Sequence, residues 1–391
     1  MSRSLPLVTT ADRRHRLGRR HCLAPSARAA TVPRAADAVV ALHATDAATV
    51  FLSARARLVD GAPEAIERAL YEDVSLVRLL SMRNTLFAVS REFAPYVDSS
   101  TARAIALKER RSLLKHLAED GQGLDAEWLG RAEASALDAL DANGPSTGSQ
   151  LSAAVPALRQ KITVGRGKKY EAQTGVTTRV IRLLAADGRI RRDRPRGSWT
   201  SSQFRWVHTE PWTHVPAAEA RAELARRWLY AYGPATEADL KWWTGWTLTD
   251  VRKALAATGT EEVALEGGAT ALVAAGDAGP ETPPEPWAAL LPALDPSGMG
   301  WADRGFQLDP AHRAALFDYA GNIGPTVWWN GEIVGGWAQR ADGEIVWKLL
   351  ADRGRAAGRA VAAEAGRLAQ WVGDARVTPR FRTPLERELV A

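Results

Sequence analysis

The sequence has a single cysteine, Cys22, in 391 residues, so no intramolecular disulfide can form and no cysteine-rich zinc site can be built. No apolar run approaches the ~20 residues that a membrane-crossing helix needs. The start, Met1-Ser-Arg-Ser-Leu-Pro6, lacks the apolar stretch and cleavage site of a secretory signal. These absences point to a cytoplasmic protein with no membrane attachment. Histidines are also few, and no pair sits at the helical spacing a metal would need. His208 and His214 share a loop-like stretch with no third ligand. Gly165 to Lys168 follows no strand-then-helix pattern, so it is not a nucleotide-cradling loop. Neither a metal nor a cofactor is expected.

Hydrophobic residues make up 46% and charged residues 25%, which suits a globular chain with a real core, and the length allows two to four compact units. Lys and Arg (51) outnumber Asp and Glu (45) only slightly, but the positive charge is clustered. Arg189 to Arg196 reads Arg-Ile-Arg-Arg-Asp-Arg-Pro-Arg, and Lys161 to Lys169 reads Lys-Ile-Thr-Val-Gly-Arg-Gly-Lys-Lys. Clustered cations suit a polyanion partner, although a charge run alone is also what a solvated face looks like. The fifteen tryptophans should mostly be core or lids over domain joints.

Periodicity divides the chain into helix-then-hairpin units. After a basic helix from Asp12 to Leu23, helical patterns run from Pro33 through Leu42, from Ala47 to Leu58, and from Pro63. Leu76 to Val89 then reads as two strands around Arg83-Asn84. Helical stretches at Ser99 to Leu117 and Asp125 to Leu140 lead to a second unit. There a helix from Gly148 and another from Val176 to Asp187 precede strands at Arg189 to Arg194 and Trp199 to Val207, with Pro195-Arg196-Gly197 as the turn. Arg179 and Arg182 face outward on that helix, beside the wing cations, where a recognition helix meets DNA. A third copy spans Ala217 to about Ala275. Beyond Gly279, strands at Val327 to Trp329, Glu332 to Gln339 and Glu344 to Leu349 join through Asn330-Gly331 and Asp342-Gly343, both hairpin dipeptides. An Ala/Arg helix from Asp352 to Val372 ends the pattern. The expected class is α/β (α+β): three tandem winged-helix domains and a C-terminal β-rich domain. The boundaries fall at 1–125, 126–215, 216–278 and 279–391.

These segments resemble the AlkZ/YcaQ-like winged-helix DNA glycosylases along nearly the whole chain. The resemblance rests on Val40-Ala-Leu-His-Ala-Thr-Asp46 with Ala54 to Leu58, on Met82-Arg-Asn-Thr-Leu-Phe87, and on Tyr170-Glu-Ala-Gln-Thr-Gly175. It continues through Tyr232 to Asp239, Trp243-Thr-Gly245, Leu291 to Pro296 and Gly321 to Thr326. It implies a C-shaped scaffold around a DNA-sized concave face. The implied activity is monofunctional hydrolysis of the glycosidic bond of N7-alkylated purines, bulky or crosslinked ones included, often in resistance to alkylating natural products. The family's catalytic motif is glutamine, an apolar residue, then glutamine or aspartate. Here the matching positions are His43, Ala44 and Thr45, so both glutamine positions have changed.

N7 alkylation makes the purine a cationic leaving group, so the enzyme needs only to orient a water at C1′ and stabilise an oxocarbenium-like sugar. His43 could accept a proton, Thr45 could hold the water, and Asp46 could stabilise the sugar cation. These three are the candidate catalytic residues, expected together at the open floor of the concave face. The competing readings are a structural histidine and, for Asp46, a helix N-cap. Duplex DNA is the expected partner of a monomer, bound through Arg55, Arg57, Lys168, Lys169, Arg179, Arg182, Arg192 and Arg194. The Val327–Gln339 hairpin is expected to project towards the DNA, or else to complete a small sheet. The alternatives to an enzyme are a DNA-binding regulator that kept the scaffold without the chemistry and an RNA-binding winged-helix protein.

Overall fold

A capping box at Thr9, whose hydroxyl accepts from Asp12 N–H, starts the first helix, Thr10–Arg20. The computed structural model describes residues 4–169 and 171–391. Met1 to Arg3, in the start segment read above, and Tyr170, in one of the motifs, lie outside the described residues. Just before this helix, Leu7–Val8 adds a short parallel strand to Thr260–Leu265, joining the N-terminal end to the third helix-and-hairpin unit. Among the described residues no helix is long and apolar enough to cross a membrane.

The helix expected from Pro33 through Leu42 is shorter. It spans Val32–Asp37 and stops where Val40 takes φ 64°, a left-handed conformation that breaks the helical run. The chain then turns into a strand, Leu42–His43, that pairs antiparallel with Thr85–Ser90; that strand's other partner is Leu76–Ser81. Asp46 caps the helix Ala47–Arg55 by accepting the Ala48 N–H. The helix from Pro63 runs five residues to Glu67 before its turns widen over Arg68–Glu72.

A separate core serves the segment from 103 to about 208. Leu113, Leu117, Leu137, Leu140, Val180 and Leu184 meet there, from helices Arg103–Asp120, Ala126–Asn143 and Val176–Ala186, with Leu158 of the short turn Pro156–Arg159. Sequence reading missed the hairpin Lys161–Val164/Ala172–Gly175 inside this segment. The wing strands are Ile190–Asp193 and Arg205–His208, joined by a longer loop than the expected three-residue turn. The strand predicted to begin at Trp199 starts later, because Trp199 leaves the hairpin. Its ring stacks on Phe51 at 5.2 Å and tilts against Trp371 at 5.4 Å, docking the loop onto the rest of the molecule.

The third unit has helices Ala217–Tyr232, Glu237–Thr244 and Leu248–Thr258 with the hairpin Thr260–Leu265/Thr270–Ala274. Its buried Leu224, Trp228, Tyr232 and Trp243 share one core with Phe87 and Val89 of the first hairpin and with Trp301 and Trp328 further on. The last sheet is antiparallel, in the order Ala288–Leu291, Thr326–Trp329, Glu332–Gln339, Ile345–Leu349. The helix Gly354–Val372 belongs to the core that Phe51 and Leu52 share with this sheet.

The hairpin expected to reach towards DNA instead lies in the middle of this sheet, with Glu332–Gln339 buried throughout. Asn330 and Gly331 both take positive φ, 48° and 84°, as a tight hairpin requires. The turn presses on the first helix: a Cβ at Gly331 would sit 2.7 Å from that of Arg14. This hairpin is a structural brace.

One buried polar cluster ties these parts together. Arg57, fully buried, forks onto Asp295 with Nη1–Oδ2 and Nη2–Oδ1 distances of 2.9 and 2.7 Å. Ser53 Oγ donates to Asp295 Oδ2 at 2.6 Å, and Arg57 Nη2 donates to Ser297 Oγ at 2.8 Å. Ser297 in turn donates to His21 Nδ1, which leaves the proton on Nε2, donated to the Ala231 carbonyl at 3.1 Å. Burial alone would raise the Asp295 carboxyl, but the Arg57 charge outweighs it and holds the group below its usual range. Removing one partner strands the other charge in the interior. Arg57→Ala is therefore expected to cost about 3–5 kcal/mol in urea denaturation. An Arg57→Ala protein as stable as the parent would show that the cluster is not a structural tie.

Candidate functional site

The antiparallel register sorts the first sheet into two faces. Arg78 pairs with Ala88 and Leu80 with Leu86, while Leu79 and His43 both pair with Phe87. Arg78, Leu80 and Leu86 line an open cleft of about 360 Å³. Its far wall is Thr178, Ile181 and Arg182 of the helix Val176–Ala186, with Arg191, Arg192 and Trp206 of the wing. Thr45 and Arg380 complete the lining, Thr45 arriving just past the strand that carries His43. Arginine is the only ionisable residue type in this lining, and it contributes five side chains.

His43 is not in the cleft. Its pairing with Phe87 puts it on the opposite face of the sheet, 4% exposed, with its ring edge-on to Phe87 at 5.0 Å. Burial, assisted by the Arg83 charge, pushes its pKa down to about 3. The expectation of an open imidazole beside the attacking water is corrected: a neutral ring walled off by the sheet cannot serve as that base. Its one hydrogen bond is a long one, Nδ1 accepting the Thr45 N–H at 3.5 Å. His43 thus supports the backbone of Thr45 from behind.

Thr45 and Asp46 do lie together. Both line a smaller cavity with Leu294, Asn322, Arg380 and Phe381, next to the main cleft. The Asp46 carboxylate is fixed by two backbone donors, the Ala48 N–H at 3.1 Å and the Arg380 N–H at 3.2 Å. The N-cap role and a place beside the cleft are both realised in one residue. The half-buried Thr45 hydroxyl has no protein partner among the described residues, so it is available to a water or a substrate.

The expected DNA-binding cations divide. Arg57 is buried against Asp295, out of reach of DNA, and Arg55 is paired with the buried Glu364 of the helix Gly354–Val372. Their spacing on a helix end showed their charge, but not the acids waiting some 240–310 residues away. Arg182 and Arg192 line the cleft. Arg182 is also held by Asn84 at 2.8 Å and Glu109 at 3.3 Å. Arg194 lies just outside it, paired with Glu72 at 2.8 Å. Arg179 points to His116 Nδ1 at 3.4 Å, and Lys168 and Lys169 are exposed on a hairpin turn away from the lining. Sequence reading missed Arg78, Arg191 and Arg380. Arg78 carried a signal, since it interrupts the otherwise apolar strand Leu76–Ser81.

A partly enclosed, arginine-lined cleft with a polar terminus suits a polyanionic chain whose chemistry takes place at one end. The chain belongs to the AlkZ-like DNA glycosylase family, whose profile it matches over residues 36–371. Among solved structures, it is similar to the DNA glycosylase AlkZ of Streptomyces sahachiroi. The two share 21% identity over 95% of this chain and 98% of that one, with a TM-score of 0.70. At that identity the likeness establishes the fold. No curated protein sequence matches the chain.

The two buried imidazoles contribute to the acid stability. His21 and His43 both have pKa values pushed from 6.5 to about 3, by burial first and by nearby arginines second. Between those values the unfolded chain holds more protons than the folded one. Stability is therefore complete above pH 6.5 and falls as the pH drops towards 3, by about 1.4 kcal/mol per pH unit for each histidine. Urea midpoints measured from pH 7 to pH 4 should show this loss, and His43→Phe should remove roughly half of the slope assigned to the pair. An unchanged slope in that variant would mean that His43 is not held neutral.

Proposed function

We propose that the chain is a monofunctional DNA glycosylase that hydrolyses the N-glycosidic bond of N7-alkylated purines in duplex DNA. It acts as a cytoplasmic monomer in repair of alkylation damage or in self-resistance to a genotoxin, with bulky or crosslinked adducts in its range. The observation that carries this reading is Thr45. It occupies the last position of the family's catalytic motif, and its unpartnered hydroxyl lies at the lining of an arginine-rich cleft. The three helix-and-hairpin units are read as winged helices, arranged as a C whose inner face holds the duplex, with Val176–Ala186 as a recognition helix beside its wing.

The chemistry asks little of the protein. The C1′–N9 bond breaks with its electrons passing to the alkylated purine, which departs as a neutral base, and water adds to C1′ and loses its proton to solvent. Thr45 accepts or donates a hydrogen bond to position that water. Asp46, fixed by its two backbone donors, supplies negative charge near the developing sugar cation. A lyase step would need an amine to form a Schiff base, and the cleft lining contains no lysine.

A second reading, a DNA-binding protein without the chemistry, is favoured by one observation: the residue at the first motif position, His43, faces away from the cleft. Incubation with a duplex oligonucleotide carrying N7-methylguanine separates the two, with base release followed by mass spectrometry. The wild type should release the base. Thr45→Val should slow release on the order of tenfold to a hundredfold, with duplex affinity held, because the lost interaction matters mainly in the transition state. No release by the wild type from methylated or bulky N7 adducts would establish the non-catalytic reading. Wild-type rates in Thr45→Val would remove Thr45 from the mechanism.

A further inference from the structure

Two guanidiniums in the cleft wall share a pocket that contains no acid. Arg78 is only 7% exposed, and its one hydrogen bond is from Nη1 to the Tyr71 hydroxyl at 3.0 Å. Its Nε and Nη2 are buried and have no partner. Arg192 is in the same condition at Nε and Nη1. Aromatic rings hold both in place: Arg192 lies 4.3 Å and Arg78 5.6 Å from the centroid of the same ring, Phe204. The neighbouring acids are committed elsewhere. Asp193 faces Arg191 and Arg205, and Glu67 and Glu72 hold Arg194.

Such an arrangement is costly in the free protein. Buried donors without acceptors lose the hydrogen bonds they had with water, and like charges packed on one ring repel each other. The strain registers on Arg192, whose pKa is pulled down to about 10 by burial and then by the Arg78 charge. Pairing each arginine with a carboxylate would compensate its charge, as happens at Arg55, Arg57 and Arg110. Here the fold instead leaves those donors unpaired, on residues that line the cleft.

We propose that Arg78 and Arg192 form a receptor for a single phosphodiester, a backbone phosphate of the bound DNA strand, gripped by their free N–H groups. A tetrahedral phosphate offers several acceptor oxygens, enough to satisfy two planar forks at once, and aromatic backing keeps the guanidiniums oriented without neutralising them. Arg380, in the same lining, adds a third positive charge. Thr45 lies in that lining too, so a phosphate seated here fixes the register of the strand against the Thr45 hydroxyl. Arg78 and Arg192 are thus positioning residues. The proposal rests on the glycosylase reading only for the identity of the polymer.

The test uses the whole protein and two probes, inorganic phosphate and an undamaged duplex oligonucleotide. Inorganic phosphate, against chloride at matched ionic strength, should raise the melting temperature of the wild type. Arg78→Met and Arg192→Met should each abolish that rise, cut duplex affinity roughly tenfold to a hundredfold, and lower the slope of log K against log salt by about one. Arg78→Lys should keep the slope and lose affinity, since it retains the charge but not the fork. Arg131→Met, which breaks an exposed pair with Glu127, should change neither readout. If Arg78→Met does not fold, the less buried Arg192→Met carries the test. Wild-type affinity and slope in Arg192→Met, or phosphate stabilising parent and variant alike, would overturn the proposal. A wild type that needs Arg192 for duplex binding but releases no base would uphold the receptor and sink the enzyme.

Discussion

The Arg57–Asp295 pair is the constraint on which the geometry of the cleft depends. An ion pair sealed from water is tolerable only when its remaining donors and acceptors are also satisfied. Here Ser53, Ser297 and the Ser53 carbonyl meet that need at every atom but Arg57 Nε, and His21 extends the chain of bonds to the helix Ala217–Tyr232. The pair therefore fixes the C-terminal end of the helix Ala47–Arg55 against the loop that begins at Pro292. Nine residues of helix, about 13 Å, lead back from there to Asp46 and Thr45. A rigid rod anchored at one end determines where its other end points. Second ties act at that far end: the Arg380 N–H holds Asp46, and the Leu86 carbonyl accepts the Ala44 N–H at 2.8 Å.

The same physics sorts the arginines into two populations. Where an acid from a distant segment is within reach, the guanidinium becomes a tie between segments, as Arg16 and Arg20 do with Asp277 and Arg353 with Glu332. Where only aromatic rings are within reach, the charge stays uncompensated. In the cleft, Arg78 and Arg192 are of the second kind, beside Arg182 and Arg191, which have acid partners. A net charge of +6 is modest, yet the cleft lining carries five arginines and no acid. Composition reports the sum, whereas recognition depends on this division.

That division explains what the sequence could and could not disclose. Local periodicity was enough for the helices of the third unit and for the hairpins at Leu76–Ser90 and Asn330-Gly331, because turn chemistry and spacing act over a few residues. It failed at Leu42–His43, where apolar residues at helical spacing meet a left-handed Val40 and a waiting strand edge. It also failed at Trp199, whose stacking partners lie about 150 and 170 residues away in the chain. The site was half legible. Resemblance led to the segment His43 to Asp46, but a strand shows its two faces alternately, so that segment puts His43 on the face away from the cleft. Arg55 and Arg57 looked free because their partners, Glu364 and Asp295, are remote.

The burial of His43 also bears on what kind of catalyst this site can be. A general base earns most when the leaving group is poor and the water must be strongly activated. A purine alkylated at N7 is already a good leaving group, and the barrier then lies mainly in bringing water and sugar into line and in tolerating positive charge on the sugar. One unpartnered hydroxyl, and one carboxylate fixed by two backbone donors, would address those two needs without a histidine base. The cleft arginines oppose the second need, since cations near a developing oxocarbenium are unfavourable unless a phosphate lies between them. Seating the strand's phosphate on those arginines turns their charge from a penalty into an anchor. On the proposed reading, binding and chemistry in this cleft are therefore compatible only when the DNA backbone itself neutralises the wall.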